Sequence, residues 1–283
     1  MTSFGPLVST DWLAQHSNQV KIVDGSWRLP GAPPARKDYD RRHIPGAIFF
    51  DIDAICDPET DLPHMLPPGP LFAKAVGELG VSHTDTIVVY DDQGFFSAPR
   101  VWWTFRAMGH PRVAVLNGGL KKWRAEGRPV DAAPISLRAA KYKASPLTNA
   151  SANAHDVRSM LNVSPVQIVD ARPAERFAGK VGEPRPGLRS GAMPGATNIP
   201  ASELVDDRGC LHPQNILSEV FYVKGGVNPD APIITTCGSG VAAALLALAL
   251  ETLGHQGVRL YDGSWAEWGK SENDSVAFPV VTA

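Results

Sequence analysis

The residues best suited to chemistry lie in the segment Ile233-Ile234-Thr235-Thr236-Cys237-Gly238-Ser239-Gly240-Val241. A β-branched run ends at a cysteine, a Gly-Ser-Gly turn follows, and a strongly helical stretch begins at Val241. Open α/β sheets place ligands at loops of this kind, beyond the carboxyl ends of parallel strands. Gly238 and Gly240 allow a tight loop whose amides turn inward, and the next helix aims its positive end at the same spot. Both features favour the thiolate, the reactive form of cysteine. A lone cysteine is more often a small buried hydrophobe, but this placement reverses that preference. A cysteine phosphatase would need an Arg early in the helix to clamp phosphate oxygens, and this chain has Ala243 there. Sulfur transfer needs only the thiolate and a ring of N–H donors around the terminal sulfur of a persulfide.

The elements that hold this loop occur twice. Residues 88–123 and 233–268 align without a gap, 145 positions apart. Val88-Val89-Tyr90 matches Ile233-Ile234-Thr235, Gly118 matches Gly263, and Trp123 matches Trp268. Upstream, Ile22-Val23-Asp24 matches Ile168-Val169-Asp170, and Pro45-Gly46-Ala47 matches Pro194-Gly195-Ala196. On this alignment Asp92 stands opposite Cys237, so the first copy is expected to be catalytically silent. Strands are predicted at 21–24, 47–50, 86–90 and 113–116, and again at 166–170, 196–199, 232–236 and 258–261. Helical patterns at 70–79, 98–108, 119–126 and 241–253 alternate with them, which implies an α/β fold with a parallel sheet in each copy. The expected division is a first domain at 1–130, a Pro- and Ala-rich linker at 131–150 draped over a domain surface, and a second domain at 151–283.

Composition excludes several classes. Of 283 residues 43% are hydrophobic and 20% charged, too apolar for a disordered chain. Lys plus Arg number 27 against 29 Asp plus Glu, a net charge of -2 and no footprint for nucleic acid. The apolar run Val241–Leu250 is about half a membrane span, so no membrane partner is expected. The N-terminal MTSFGPLVSTDWL has neither a positive leader nor a long apolar stretch, so a secretory signal is not expected. Three cysteines without a C-x-x-C pair predict neither a disulfide framework nor a metal site. Cys56 and Cys210 read as structural or surface thiols, and the tryptophans as core or interface aromatics. A soluble cytoplasmic protein without a cofactor is the expectation.

Several stretches resemble one family, the two-domain rhodanese-like sulfurtransferases. They are CGSGVAAA at 237–244, YDGSWAEW at 261–268, EPRPGLRSGAMPGATNIP at 183–200, HIPGAIFFDIDAICD at 43–57, LPHMLP at 62–67 and FSAPRVWW at 96–103. The similarity runs from about residue 8 to about 270 and implies two tandem rhodanese-like domains, each a mainly parallel sheet flanked by helices. Thiosulfate-specific members carry basic residues after the Cys, whereas Gly238 and Ser239 resemble the branch that acts on 3-mercaptopyruvate. The implied reaction moves sulfur through a Cys237 persulfide to a thiol, thioredoxin or cyanide and releases pyruvate. Thiosulfate:cyanide transfer is the alternative, and a non-catalytic sulfur carrier a more distant one.

The resemblance places the substrate carboxylate on Arg185, with Arg189 as a second contact, and Arg suits a carboxylate bidentately. The bland alternative for both is a solvated surface Arg. Gly238, Gly240, Val241 and Ala242 would line the sulfur; the branch commonly has Thr in place of Ala242. Some members are thought to use a Ser–His–Asp arrangement, and the matching residues are Ser239, His64 and Asp53. His64 could equally cap a loop between prolines, and Asp51 is an alternative carboxylate on the same side of an extended segment. A family His before Pro-Gly-Ala, kept as His43 in the first copy, is expected to be replaced by Met193 in the second.

Overall fold

Short runs such as Ile87-Val88-Val89-Tyr90 have no polar face, so they are stable only where helices cover both sides of a sheet. The computed structural model describes residues 5–161 and 165–282, so the first four residues of the segment read for a leader lie outside it. Contacts divide the chain into two units. The first takes Met1–Pro58, Leu66–Leu147 and Val205–Leu211, and the second takes Glu59–Met65, Thr148–Leu204 and His212–Ala283.

The first unit holds β1 (Leu7–Val8), β2 (Lys21–Asp24), β3 (Ile48–Phe49), β4 (Ile87–Tyr90) and β5 (Val113–Leu116), in the order β1-β5-β4-β2-β3. The second holds β6 (Ser151–Ala152), β7 (Gln167–Asp170), β8 (Thr197–Asn198), β9 (Ile233–Thr236) and β10 (Arg259–Tyr261), in the order β6-β10-β9-β7-β8. Every pairing is parallel. In each sheet the crossovers diverge between the second and fourth strands, which opens a crevice at their carboxyl ends. β1 and β6 were not foreseen, since a two-residue edge strand carries no periodicity. The apolar run from Val241 forms the helix Val241–Thr252, and its residues through Leu250 are buried except Ala242. Among the described residues no helix is long and apolar enough to cross a membrane. Trp123, Trp265 and Trp268 are buried, as their bulk suggested.

The segment read as a linker packs onto the first unit. The amides of Ala140 and Ser145 donate to the carbonyls of Gly77 (2.8 Å) and Met108 (2.9 Å), and the Tyr142 hydroxyl meets His110 Nδ1 at 3.0 Å. A Cβ on Gly77 would lie 2.6 Å from the Ala140 carbonyl oxygen, so only glycine lets the segment approach.

Two details of the repeat are corrected. Asp24 pairs with Tyr90 in β2–β4, and Asp170 with Thr236 in β7–β9, so β4 and β9 align 146 positions apart. The carbonyl of Asp91 accepts from Leu120 N–H, and that of Cys237 from Trp265 N–H, both at 2.9 Å. The counterpart of Cys237 is therefore Asp91, not Asp92. A strand apolar on both faces does not fix its own register, which is how the pattern slipped by one residue. Likewise Ala192, not Met193, stands at the position of His43. Ala192 bridges Val281 as His43 bridges Asp131, while Met193 and Ile44 both enter the core.

Asp24, at the end of β2, is 1% exposed, and burial raises its carboxyl to about 6, opposed by bonds from Ser26. A carboxyl raised in the folded state favours folding while protonated; that advantage is lost as pH climbs from the unfolded value of 3.8 through about 6. Asp24→Asn is therefore expected to stabilise the protein at pH 7.5 by on the order of 1–3 kcal/mol, with the gain vanishing toward pH 4. Urea titrations at both pH values check this. A variant less stable at pH 7.5, or equally stabilised at both, contradicts it.

Candidate active site

Cys237 follows β9 and is 3% exposed. Its backbone is gripped by the start of the helix Ser264–Trp268: its N–H donates to Ser264 Oγ (3.3 Å) and its carbonyl accepts from Trp265 N–H. The Gly238 carbonyl accepts from Ala266 N–H at 2.9 Å. Ser264 adopts φ +50°, rare for a residue with a Cβ, and its hydroxyl donates to the Tyr261 carbonyl at 2.8 Å. Strain at such a position persists only where the surroundings over-determine it. Gly240 takes φ +77° to start the helix Val241–Thr252, whose N-terminal amides carry partial positive charge.

The first unit shows what this loop does with an anion. Asp91 is 1% exposed, and its carboxylate accepts four backbone N–H bonds. Gln93 (2.9 Å) and Gly94 (2.6 Å) donate to one oxygen, Ser97 and Ala98 (both 2.8 Å) to the other. Burial raises this carboxyl, while the amides of Ala98 and Ser97 pull it back down. Copy one thus fills its cradle with its own side chain. In copy two the loop is shorter, Cys237 replaces the carboxylate, and the amides of Gly238, Ser239, Val241 and Ala242 find no acceptor among the described residues.

A buried charge network flanks the loop. Arg172 donates Nε and Nη2 to Asp170 Oδ2 (2.9 and 2.8 Å) and Nε also to Oδ1 (3.2 Å), pairs with Glu183 (2.9 Å), donates to the Gly191 carbonyl and lies 4.0 Å over the Trp265 ring. The other oxygen of Glu183 pairs with Arg176. Arg176 in turn closes on the loop, because a Cβ on Gly238 would lie 3.1 Å from its Nη2. Glu183 and Arg189 pin the two ends of one segment, with the half-buried Arg185 between them. Arg189 donates its Nη2 to the carbonyls of Trp268 and Phe278 (both 2.9 Å), and its own carbonyl accepts from the Trp265 indole (2.9 Å).

Ser239, 6% exposed, lies in the same loop as Cys237. His64 was read with the first copy, but it belongs to the second unit, where Lys270 pairs with Asp61 at 3.3 Å. It is 6% exposed with φ +61°. Asp53 belongs to the first unit and accepts from the Trp27 indole at 2.8 Å, while Asp51 caps the amides of Asp53 and Ala54. Among the described residues no group of His, Cys, Asp and Glu is arranged to hold a metal ion.

The model of the rhodanese-like domain matches residues 9–126 and again 153–271, which covers both copies. The chain belongs to the rhodanese-like family. It is 43% identical over 266 residues to the 3-mercaptopyruvate sulfurtransferase of Escherichia coli (strain K12), covering 93% of this chain and 94% of that one. It is 39% identical over 274 residues to the enzyme of the same name from Mus musculus, covering 94% and 92%. The crystal structure of the Escherichia coli protein superposes with a TM-score of 0.85 at 41% identity, covering 93% of this chain and all of that one.

Three residues of this rhodanese-like chain escaped sequence reading. Arg172 and Arg176 had a visible signal, two further arginines shortly before Arg185 and Arg189. Ser264 had none, since a left-handed serine looks like any other serine in sequence.

Proposed function

We propose that this chain is a 3-mercaptopyruvate sulfurtransferase in which Cys237 carries the sulfur as a persulfide. The observation that carries the reading is the pair of cradles: four amides satisfied by Asp91 in one copy, and a cysteine among uncommitted amides in the other. Arg185 takes the substrate carboxylate, with Arg176 beside the loop as its partner. Arg189 was expected as a second contact; the two carbonyls on its Nη2 support an anchoring role instead.

The Cys237 thiolate attacks the substrate sulfur and the C–S bond breaks, leaving its electron pair on the enolate of pyruvate. The proton of the substrate thiol passes through Ser239 and His64 to the enolate carbon, giving pyruvate and an anionic persulfide. The loop amides hold the terminal sulfur. An acceptor thiolate, such as that of thioredoxin, then attacks it and regenerates the Cys237 thiolate; cyanide would take the same sulfur as thiocyanate. A reducing cytoplasm suits a chain whose three cysteines are unpaired. Steady-state comparison of two donors with one acceptor tests donor choice. Higher kcat/KM for 3-mercaptopyruvate than for thiosulfate is expected, and the reverse order sinks the assignment.

Arg185→Ala removes a charge-assisted contact and is expected to lower kcat/KM for 3-mercaptopyruvate roughly 10- to 100-fold. An unchanged value would move the carboxylate onto Arg176 alone. For the proton path, His64→Ala and Ser239→Ala should each reduce kcat by roughly 10²- to 10⁴-fold. The double variant should be little worse than the worse single one, since groups acting as one unit are not additive. Multiplicative losses would assign the two residues to separate steps.

A further inference from the structure

The first unit contains a cavity of about 240 Å³ beside Asp24, whose counterpart in the second unit, Asp170, is paired with the buried Arg172. In the second unit, Arg172 N–H donates to Asp170 (2.8 Å) and its guanidinium lies on the Asp170 carboxylate beneath Trp265. The same backbone bond recurs in the first unit, where Ser26 N–H donates to Asp24 at 2.9 Å. Ser26 therefore stands at the position of Arg172, and Leu120 at that of Trp265. Both replacements are smaller, and a cavity lined by Asp24, Ser26, Tyr39 and Leu120 lies beside them, although Tyr90, larger than its counterpart Thr236, already bonds the Asp24 carboxylate through its hydroxyl.

Asp24, Ser26, Tyr39 and Leu120 are buried, and among the described residues no cationic side chain pairs with Asp24. Asp38 and Asp92 also line the cavity but are occupied by Arg28. Toward solvent it is bordered by Arg42, Lys121 and Arg124, all exposed. Lys121 donates to the Asp207 carbonyl at 2.7 Å, while Arg42 and Arg124 form no ion pair among the described residues. A buried carboxylate below exposed cations selects a ligand that is positive at one end and negative at the other. The volume lies just below the usual range of about 300–1,000 Å³ for small-molecule pockets, which suits a ligand of amino-acid size.

We propose that this cavity binds a small guanidino carboxylate such as free L-arginine. The guanidinium occupies the place on Asp24 that Arg172 occupies on Asp170, and the carboxylate meets Arg42 and Arg124. This site is separate from Cys237 and does not depend on the reaction assigned to it. Burial raises Asp24 only to about 6, so its carboxylate is ionised at pH 7.5.

Isothermal titration with L-arginine at pH 7.5 tests the proposal. One saturable site per chain is expected, together with binding at least roughly tenfold weaker for citrulline, whose side chain is an uncharged urea, and for agmatine, which lacks the carboxylate. Ser26→Arg rebuilds the self-ligated arrangement of the second unit and should abolish binding while Tm holds or rises. Asp24→Asn, expected to be the more stable protein at this pH, should weaken binding at least roughly tenfold and serves if Ser26→Arg does not fold. No saturable binding to the parent protein overturns the proposal. So does citrulline or agmatine binding as tightly as arginine, or parental affinity in either folded variant.

Discussion

Cys237→Ser is expected to abolish sulfur transfer with the fold unchanged. A hydroxyl fits where the buried thiol sits but forms no persulfide. Circular dichroism and Tm should match the parent protein, and turnover with 3-mercaptopyruvate should fall to background. Cys56→Ser and Cys210→Ser should keep near-parental rates. Burial and the acidic neighbours Asp53 and Asp57 push the Cys56 thiol up, and burial with Asp206 does the same to Cys210. Both are thereby poorer nucleophiles at neutral pH. Substantial turnover by Cys237→Ser would contradict covalent transfer through this residue.

Arg172→Met should produce the largest loss of stability. The change leaves Asp170 and Glu183 buried, with side chains 1% exposed, and removes their shared cation. Breaking a buried pair from one side typically costs about 3–5 kcal/mol, far more than the pair contributes over an apolar substitute. The variant's Tm is expected to fall on the order of 10 °C. Because Glu183 also holds Arg176 against Gly238, the folded fraction should show a raised KM for 3-mercaptopyruvate. A Tm within error of the parent protein would mean that Asp170 and Glu183 find other partners or take up protons.

The central strands were legible because a parallel sheet covered on both faces demands short, β-branched or apolar runs, as in β4 and β9. That same uniformity hid their register, which is why Asp92 was read in the place of Asp91. The Cys237 loop was legible through its glycines, since a strand, a Gly-rich turn and a helix start form one local unit. The arginine cluster marks Arg176 as a candidate but not its approach to Gly238, and Ser264 reaches the loop with nothing local in sequence to report it. Arg189, which the resemblance implies as a second substrate contact, has its Nη2 on two backbone carbonyls, a tertiary arrangement that sequence does not report. The transfer of Glu59–Met65 to the second unit, and of Val205–Leu211 to the first, also depends on tertiary contacts. In the latter, Asn117 Oδ1 accepts the Leu211 amide at 3.0 Å.

The central claim is that sulfur from 3-mercaptopyruvate rests on Cys237 before it moves on. A single turnover without acceptor tests it most directly, by mass spectrometry of the intact protein and its peptides alongside assay of pyruvate. One added sulfur per chain is expected, located on the peptide carrying Cys237, with one pyruvate released for each. Pyruvate formed without added sulfur, or sulfur found on Cys56 or Cys210, would contradict it.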